Sequence, residues 1–402
     1  MRITMVCDFF DPRLSYQENL LARCYRESGH DLTVVTSTAE TLDAYLSNRF
    51  STDARTDTLA NGTVLLRLPF AVDLVHRLRL LKGLSAALAA SRPDFLFVHD
   101  INFNLVVAAR YARTRGDCRL VTDCHTDYSN STSNVLARLA LHPISRRACF
   151  LAALPQLERV FAVTPQTVRF AHGEYGVPRA MLELLPLGTD VTRFRELRDA
   201  GAREVTRTEL GVAASDVLLF TGGKIAPSKR LEMTLQAFAR LQSDRVRLIV
   251  AGDGDSAGAK QYFRDLRFTF SSDRRIRFLG WTAESDVARL LVASDVAVFA
   301  ASQSILWQHA IGAGLPLVIG DRRARAGEEQ DVSYLGSRGN IVITDGTVDG
   351  MVGVLDELVR SDDWRAAMRE GSLRTASEKL DIQRIAADTL RAPFGTDSRT
   401  LA

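Results

Sequence analysis

Residues 220–231 read FTGGKIAPSKRL, and the meaning of this stretch decides how the chain is interpreted. An apolar run ends in Gly222 and Gly223, and a helical pattern begins shortly afterwards. Paired glycines let a ligand approach the backbone, and a helix N-terminus offers unpaired N–H groups with partial positive charge. Lys224 and Lys229 add full charges, so these are the parts that hold a diphosphate. A tight strand–helix turn with two solvated lysines is the alternative interpretation.

Short apolar runs alternate with helical patterns on both sides of this stretch. The predicted strands cover 2–7, 31–37, 63–69, 94–100, 119–124, 159–164, 216–223, 246–254, 276–280, 296–301, 315–320 and 340–344. The predicted helices cover 16–29, 74–91, 104–116, 228–242, 258–271, 283–293, 304–313 and 359–392. Strands that alternate with helices predict βαβ units and parallel sheets.

The pattern weakens near residues 185–215, where turn residues and charges replace the apolar runs. We therefore expect two doubly wound α/β domains, over 1–195 and 196–375. A C-terminal helix and tail over 376–402 are expected to return to the first domain. Ligands of such sheets bind beyond the carboxyl ends of the strands, so the interdomain cleft is the expected site.

Composition narrows the class of protein. The 402 residues include 51 basic and 48 acidic side chains, a balance that gives no reason to expect nucleic acid as a partner. The five cysteines form no C-x-x-C pair, which favours reduced thiols in a cytosolic protein. The opening MRITMVCDFF is typical of a first strand rather than a signal peptide, and no apolar run reaches the length of a membrane span.

Several motifs in order resemble the family-four retaining glycosyltransferases, which have the GT-B fold. The stretch with Gly223, Lys224 and Lys229 is similar to the donor-phosphate loop of that family, usually G-R-x-x-x-x-K-G. LPLGTDVTRF (185–194) resembles its linker signature, and AIGAGLPLVIG (310–320) resembles the segment after its acidic motif. Each motif is loose, but their shared order is specific.

The resemblance implies a metal-independent, retaining transfer of a hexose-type sugar from a nucleoside-diphosphate sugar to an acceptor hydroxyl, with no other cofactor. The domain 1–195 would bind the acceptor, and 196–375 would bind the nucleotide sugar. Lys224 and Lys229 would neutralise the leaving diphosphate, which explains how the reaction proceeds without a metal. Lysine in place of arginine at 224 keeps the charge but loses the bidentate fork. The Asp253–Asp255 pair is interpreted as a turn near the nucleotide pocket rather than a metal site.

The sequence departs from the family at the acidic motif E-x7-E. Alignment on GLP places Ala301 and His309 where the family has glutamates. Gln303 and Ser304 could contact the sugar instead, or Ser304 could be a helix cap. His309 could contact the ribose or be a partly buried structural histidine. The predicted donor-binding residues are Gly222, Gly223, Lys224, Lys229, Gly252, Asp253, Gln303, Ser304 and His309.

Polar side chains also follow two strands of the first half. His125 lies where the family histidine is often near the donor phosphate and acceptor, so with Lys224 and Lys229 it is a predicted catalytic residue. Asp123 and Asp127 flank it and would raise its pKa by charge proximity. The first loop has Ser15 and Tyr16 where the family usually has two glycines. The predicted acceptor-side residues are Ser15, Tyr16, His99, Asp100, Asp123 and Asp127.

Partners follow from the same resemblance. We expect a nucleotide-sugar donor and a saccharide, lipid-linked or small-molecule acceptor. Segments 76–92 and 128–157 contain no acidic residue, so a basic amphipathic patch there could touch the inner face of an anionic membrane; solvated arginines on core-facing helices are the alternative. Because the acidic pair is missing, a catalytically weak nucleotide-sugar-binding pseudoenzyme stays open, as does a sugar-nucleotide epimerase of the same fold.

Overall fold

The computed structural model describes residues 1–74, 76–128, 131, 141–301, 304–321, 331–336 and 339–391. Contacts divide the chain into two units. The first contains Met1–Pro186 and the described residues from Gln383 onward, and the second contains Leu187–Ile382. Each unit is built on its own largely parallel sheet, as Rossmann-like domains are. The predicted α/β class is confirmed.

The elements of the first unit follow the chain. Its strands are β1 (Arg2–Val6), β2 (Asp31–Ser37), β3 (Arg55–Thr58), β4 (Val64–Leu68), β5 (Phe70–Leu74), β6 (Leu78–Leu81), β7 (Phe95–Val98), β8 (Arg119–Cys124), β9 (Leu157–Ala162) and β10 (Leu182–Leu184). Its helices are α1 (Gln17–Glu27), α2 (Leu42–Leu46), α3 (Leu84–Ser91), α4 (Phe103–Arg115), α5 (Arg147–Ala153), α6 (Pro165–Tyr175) and, at the end of the chain, Ile382–Leu390.

The first sheet has the order β10-β9-β8-β7-β1-β2-β4-β3. Its pairs are parallel except that β3 runs antiparallel to β4. Strand β7 reads FLFV and is buried throughout, because a parallel strand covered by helices on both faces needs a continuous apolar run. The chain adds strands on one side of β1 and then, from β7, on the other. The carboxyl ends of β1 and β7 therefore flank the topological switch point, where ligands of such sheets bind.

The prediction of one helix over 74–91 is wrong. The segment instead completes the antiparallel β5–β6 hairpin and then forms the shorter helix α3. Arg79 explains the difference, because its guanidinium lies 5.0 Å from the ring centre of Phe9, 5.4 Å from Tyr45 and 5.6 Å from Phe70. These rings come from separate parts of the chain, so the cation–π contacts that favour the hairpin are tertiary.

The second unit repeats the doubly wound plan. Its strands are β11 (Val217–Ile225), β12 (Val246–Gly254), β13 (Ile276–Gly280), β14 (Val296–Phe299), β15 (Leu317–Gly320) and β16 (Ile341–Thr344). Its helices are α7 (Val191–Asp199), α8 (Ala202–Glu209), α9 (Leu231–Ala239), α10 (Ala257–Thr269), α11 (Glu284–Ala293), α12 (Ile305–Gly312), α13 (Val348–Arg360) and α14 (Asp362–Thr375); the last helix of the chain is α15 (Ile382–Leu390).

The second sheet has the order β13-β12-β11-β14-β15-β16, with parallel pairs throughout. This is the Rossmann strand order, and its switch point lies between β11 and β14. The stretch FTGGKIAPSKRL (220–231) contains the exit of β11. The fold therefore places the paired glycines at the edge where doubly wound sheets bind nucleotides.

Helix α7 belongs to the second unit. Phe194 is 4% exposed and packs in the core of that unit, with Val191 and Leu197 against the same cluster. No helix was predicted here, and the predicted end of the first domain, residue 195, lies inside α7. The sequence of α7 is mostly charged, and only one side of this short helix is buried, so its apolar positions form no continuous run.

Two further observations concern the whole chain. Within the described residues, no helix combines the length and the apolar character that a membrane crossing requires. The five cysteines, all of them described, form no disulfide: Cys7, Cys24, Cys124 and Cys149 are buried, and Cys118 is partly exposed.

Candidate functional site

The exits of β11 and β12 form one glycine-lined corner of the second sheet. The two strands stay in register to their ends, with Gly222 opposite Ala251, Gly223 opposite Gly252 and Lys224 opposite Asp253. A Cβ added to Gly222 would lie 2.2 Å from the oxygen of Ala251, and one added to Gly252 would lie 1.9 Å from the oxygen of Gly223. Side chains at Gly222 and Gly252 would push the strands apart, so the corner exists in this form because both residues are glycines.

Helix α12 begins beside this corner. A Cβ at Gly223 would lie 3.8 Å from Ser304 Oγ, and the φ of Gly223 is 98°. Ser304 is the N-cap of α12, and its side chain accepts a hydrogen bond from the N–H of Leu306 at 3.3 Å. The capping interpretation of Ser304 is confirmed, and the cap lies next to the predicted phosphate loop. Gln303, the other half of the predicted pair, lies outside the described residues.

Lys224 forms an ion pair with Asp255, which lies just beyond β12. Both side chains are substantially exposed, at 64% and 41%. Asp253 turns back on its own loop, because its Oδ1 accepts the N–H of Gly254 at 2.7 Å. Asp255 is a member of this corner that the sequence analysis treated only as part of a turn.

Lys229 lies in a short turn between β11 and α9. The turn covers Pro227–Lys229, and the N–H of Lys229 donates to the oxygen of Ala226 at 2.9 Å. Ser228 lies in this turn and does not cap α9: Arg230, with φ 53°, precedes the helix, and no side chain of the described residues caps it. Arg230 Nη1 instead donates to the oxygen of Gly346 at 3.3 Å, which anchors the loop to the end of β16.

His309 lies in the middle of α12, where the family has its second glutamate. Its Nδ1 is 2.9 Å from Thr189 Oγ1, and its ring lies 6.3 Å from that of Phe194. Burial lowers the pKa of His309 to about 4, so the ring is neutral near pH 7. A neutral imidazole cannot supply the negative charge of a glutamate. Contact between His309 and a ribose stays a prediction.

The first sheet brings three predicted residues together at its switch point. His99 follows β7, Asp123 lies in β8, and His125 follows β8. Asp123 Oδ2 accepts hydrogen bonds from His99 Nδ1 at 2.7 Å and from His125 Nε2 at 3.0 Å. The Asp123 side chain is only 2% exposed, whereas that of His125 is 37% exposed. His125 is therefore the most exposed member of the cluster.

The electrostatics of this cluster follow from the shared carboxylate. Desolvation lowers the pKa of His125, but the charge and hydrogen bond of Asp123 outweigh it and raise the pKa to about 9. The same balance raises the pKa of His99. Desolvation raises the pKa of Asp123, yet the two histidines bring it well below its ordinary value. The prediction that Asp123 raises the pKa of His125 agrees with this arrangement.

These three residues are also the group in the described chain that could hold a metal ion. Their candidate ligand atoms lie within 4.8 Å of one another. Asp123 Oδ2, however, already accepts from both ring nitrogens. A metal would have to displace both hydrogen-bonded protons, so hydrogen bonding is the arrangement that these distances describe.

Asp100 is held by the same cluster from its backbone. Its φ of 68° lies in the left-handed region, and its N–H donates to Asp123 Oδ1 at 2.8 Å. Its carboxylate pairs with Arg146 Nη1 at 2.5 Å, and the Arg146 side chain is 5% exposed. Arg146 is therefore a buried partner of a predicted site residue rather than part of a solvated basic surface. Strained backbone of this kind is concentrated at functional sites.

Asp8 extends this row of charges to the exit of β1, and the sequence analysis did not select it. Its carboxylate accepts from Arg79 Nη1 at 3.0 Å and from Asn104 Nδ2 at 3.3 Å. The residue follows the first strand directly, so its position at a carboxyl edge was the available signal. Its partners come from β6 and α4, which no local pattern connects to β1.

The remaining acceptor-side predictions lie in two loops. Tyr16 is the N-cap of α1 and is 52% exposed, and Ser15 precedes it. Glu18, in the first turn of α1, raises the pKa of His99 and His125 by its charge, so this helix faces the histidine cluster. Asp127 is buried, 4% exposed. Contact of Ser15, Tyr16 or Asp127 with an acceptor stays a prediction.

Known proteins share both halves of this architecture. The chain matches the sequence profile "Glycosyltransferase Family 4" over residues 19–193 and the profile "Glycosyl transferases group 1" over residues 215–360. A D-inositol 3-phosphate glycosyltransferase of Nocardia farcinica is 25% identical over 218 residues, which is 52% of this chain and 48% of that protein. The Rhodococcus erythropolis protein of the same name is 25% identical over 67% of this chain and 58% of its own length. These matches span about half of the relatives' length.

Solved structures show the same fold at low sequence identity. HepE of Anabaena in complex with UDP has a TM-score of 0.69 at 16% identity, covering 97% of this chain and 98% of that one. WaaG, a glycosyltransferase involved in lipopolysaccharide biosynthesis, has a TM-score of 0.64 at 16% identity, covering 96% and 99%. With two profiles that together span most of its length, the chain belongs to the family-four, group 1 glycosyltransferases of the GT-B fold.

Proposed function

We propose that the protein is a retaining glycosyltransferase that moves a hexose-type sugar from a nucleoside-diphosphate sugar to an acceptor hydroxyl without a metal ion. The observation that carries the proposal is the corner at the exit of β11. Gly222, Gly223 and Gly252 leave the backbone open there, Lys224 lies in register beside Asp253, and α12 begins next to Gly223. Backbone amides, cations and a helix N-terminus are the groups that stabilise a leaving diphosphate.

In the proposed reaction, the bond between the anomeric carbon and the diphosphate oxygen breaks. A bond from the acceptor oxygen to the same face of that carbon forms, and the acceptor's proton passes to the leaving diphosphate. Lys224 and Lys229 balance the charge that develops on the diphosphate. Lys224 would exchange Asp255 for a phosphate oxygen when the donor binds. The protonated His125 ring donates a hydrogen bond on the acceptor side, where it orients the reacting groups.

The relatives support a choice of first substrates. The HepE structures contain UDP and UDP-glucose, so uridine diphosphate sugars are the first donors to test. The curated relatives named above support a small hydroxylated acceptor such as an inositol phosphate. Saccharide and lipid-linked acceptors complete the panel.

Donor binding is tested by thermal shift with UDP, GDP, ADP and their sugar conjugates. A ligand at a hundred times its Kd stabilises the native state by about 2.7 kcal/mol, so a true donor raises the Tm measurably. Lys229→Ala should reduce the shift strongly. Lys82→Ala is the matched control, because Lys82 is an exposed lysine of the first unit. Equal Tm shifts in wild type and Lys229→Ala would show that Lys229 does not bind the donor phosphates.

Turnover separates transfer from the alternatives. A transferase forms product only when an acceptor is present, and the product keeps the anomeric configuration of the donor by NMR. Conversion of the donor without acceptor would indicate an epimerase. Binding without conversion across the panel would indicate a pseudoenzyme, which the absence of acidic residues at Ala301 and His309 would then explain. Activity should persist in EDTA, since fixed cations balance the leaving group.

A further inference from the structure

One buried carboxylate organises the carboxyl edge of the first sheet. Asp123 Oδ2 accepts from His99 Nδ1 and from His125 Nε2, and Asp123 Oδ1 accepts from the N–H of Asp100. An ionised carboxylate can only accept hydrogen bonds, so both ring nitrogens that face it carry protons. The orientation and the protonated nitrogen of His125 are therefore set by a residue that is itself 2% exposed.

We infer that Asp123 is a positioning residue, which holds the His125 ring and the left-handed backbone of Asp100 in place for the acceptor side of the reaction. It acts through His125, because His125 is exposed at the edge and Asp123 is not. The proposed glycosyl transfer underlies only the kinetic part of this inference. The hydrogen-bonding part can be tested on the protein without substrate.

Strand pairing and ring stacking support Asp123. Strand β8 pairs with β7 through Val98 and Thr122, and the His99 ring stacks on Phe97 with a centroid separation of 4.5 Å. His99 Nε2 is buried and has no hydrogen-bond partner among the described residues. The hydrogen bond to Asp123 is therefore the side-chain hydrogen bond that this buried ring makes within the described residues, and it holds the ring against the carboxylate.

The charges around His125 come from three elements. Asp123 lies in β8, Asp100 follows β7, and Glu18 lies in the first turn of α1; all three favour the protonated ring. His99 is the opposing neighbour, because its own positive charge disfavours a second one. The carboxylate between the rings lets both be charged together. Removing that carboxylate leaves two adjacent imidazoles that repel each other when protonated.

The direct test is an NMR titration of wild-type protein labelled with ¹³C and ¹⁵N in histidine, in EDTA and without substrate. The His125 signals are assigned from their loss in His125→Gln. We expect protonated Nε2 and a titration near pH 9 in wild type and in Asp117→Asn, where an exposed carboxylate is removed from the opposite end of β8. In Asp123→Asn the titration should fall below pH 7. A wild-type midpoint near pH 6.5 would overturn the inference, whatever the stability of Asp123→Asn.

Kinetics supply the second test. Asp123→Asn should lower kcat about hundredfold, move the alkaline limb of the pH profile from about 9 towards neutrality, and leave the donor KM within about twofold. Asp123→Glu should recover part of the loss. If kcat and the alkaline limb are unchanged in Asp123→Asn, the positioning role is refuted.

Stoichiometric Zn²⁺ binding that shifts the His99 and His125 signals would also overturn the positioning role, in favour of a metal site. A wild-type protein with no transferase activity but with the NMR result above would retain the hydrogen-bonding inference and refute the proposed reaction.

Discussion

Thr189 Oγ1 and His309 Nδ1 lie 2.9 Å apart in the second unit, where the chain entering α7 meets the middle of α12. Thr189 is fully buried, and its backbone bonds to Leu380 and Ile382. The residue that replaces the second glutamate of the family is therefore bound to the segment that opens this unit. Its chemistry differs from that of a glutamate in charge as well as in shape.

The buried, neutral His309 ring, which is paired with Thr189, predicts that the protein loses stability in acid. The folded-state pKa of about 4 lies below the ordinary value of 6.5, so the native state favours the neutral ring. This contribution is present above pH 6.5 and is lost as the pH falls from 6.5 to about 4, because the unfolded state takes up the proton first. The Tm of wild type should fall over this window more steeply than that of His309→Gln. If the Tm of the two proteins changed equally with pH, the lowered pKa of His309 would be refuted.

Breaking the same pair from the other side should also destabilise the second unit. Thr189→Val removes the hydroxyl with little change of shape and leaves the His309 Nδ1 without this partner. An unsatisfied buried group costs about 1–3 kcal/mol. Urea denaturation measures the change, with Thr208→Val as the control, since Thr208 is exposed on α8. Equal effects of the two substitutions would show that the Thr189–His309 hydrogen bond does not stabilise the second unit.

The Lys224–Asp255 ion pair predicts competition with the donor. Asp255→Asn releases Lys224 from an exposed partner, and exposed pairs contribute at most about 1 kcal/mol, so donor affinity should rise about two- to fivefold. Lys224→Ala should lower it instead. Isothermal titration with a nucleoside diphosphate at low and high salt measures both changes. Weaker binding by Asp255→Asn would indicate that Asp255 helps to hold the donor.

The close approach of β11 and β12 predicts that Gly252 tolerates no side chain. Its φ is 152°, and an added Cβ would lie 1.9 Å from the oxygen of Gly223. Gly252→Ala should lower the free energy of unfolding by about 2–4 kcal/mol, since backbone strain and displaced strands both contribute. Gly258→Ala is the matched control, because nothing lies within 4 Å of its added Cβ. Comparable Tm values for the two variants would refute the packing described at this corner.

The Asp100–Arg146 pair predicts unequal effects of its two halves. Arg146 is 5% exposed and cannot lose its charge, whereas Asp100 is 30% exposed and is partly solvated. Asp100→Asn, which leaves a buried cation uncompensated, should cost about 3 kcal/mol, and Arg146→Met should cost less. Chemical denaturation of both variants decides the order. A larger loss for Arg146→Met would mean that its packing outweighs its charge.

The sequence predicted most of the elements of the second unit because its signals are local. Apolar runs ending in Gly222 and Gly252 mark strand exits, and Ser304 before a helical pattern marks a cap. The hairpin at 70–81 escaped prediction because its decisive contacts, such as Arg79 on Phe9, join distant segments. The left-handed Arg230 escaped prediction because nothing near it in the sequence favours that conformation.

The candidate site shows the same division. His99, Asp123 and His125 could be selected because each lies at the end of a strand, and parallel strands end at one edge. Their surroundings could not be selected, since Glu18 reaches the two histidines, and Arg146 reaches Asp100, through folding alone. Which cation neutralises which carboxylate is a tertiary property, and it decides the pKa of each group.

The most direct measurement is a crystal structure of the protein with a nucleoside diphosphate. We predict diphosphate density at the exit of β11, within hydrogen-bonding distance of the Gly223 amide and the Lys229 ammonium group, with Lys224 moved from Asp255 to a phosphate oxygen. Diphosphate bound elsewhere in the second unit, or on the first unit, would contradict the proposed phosphate site at the exit of β11.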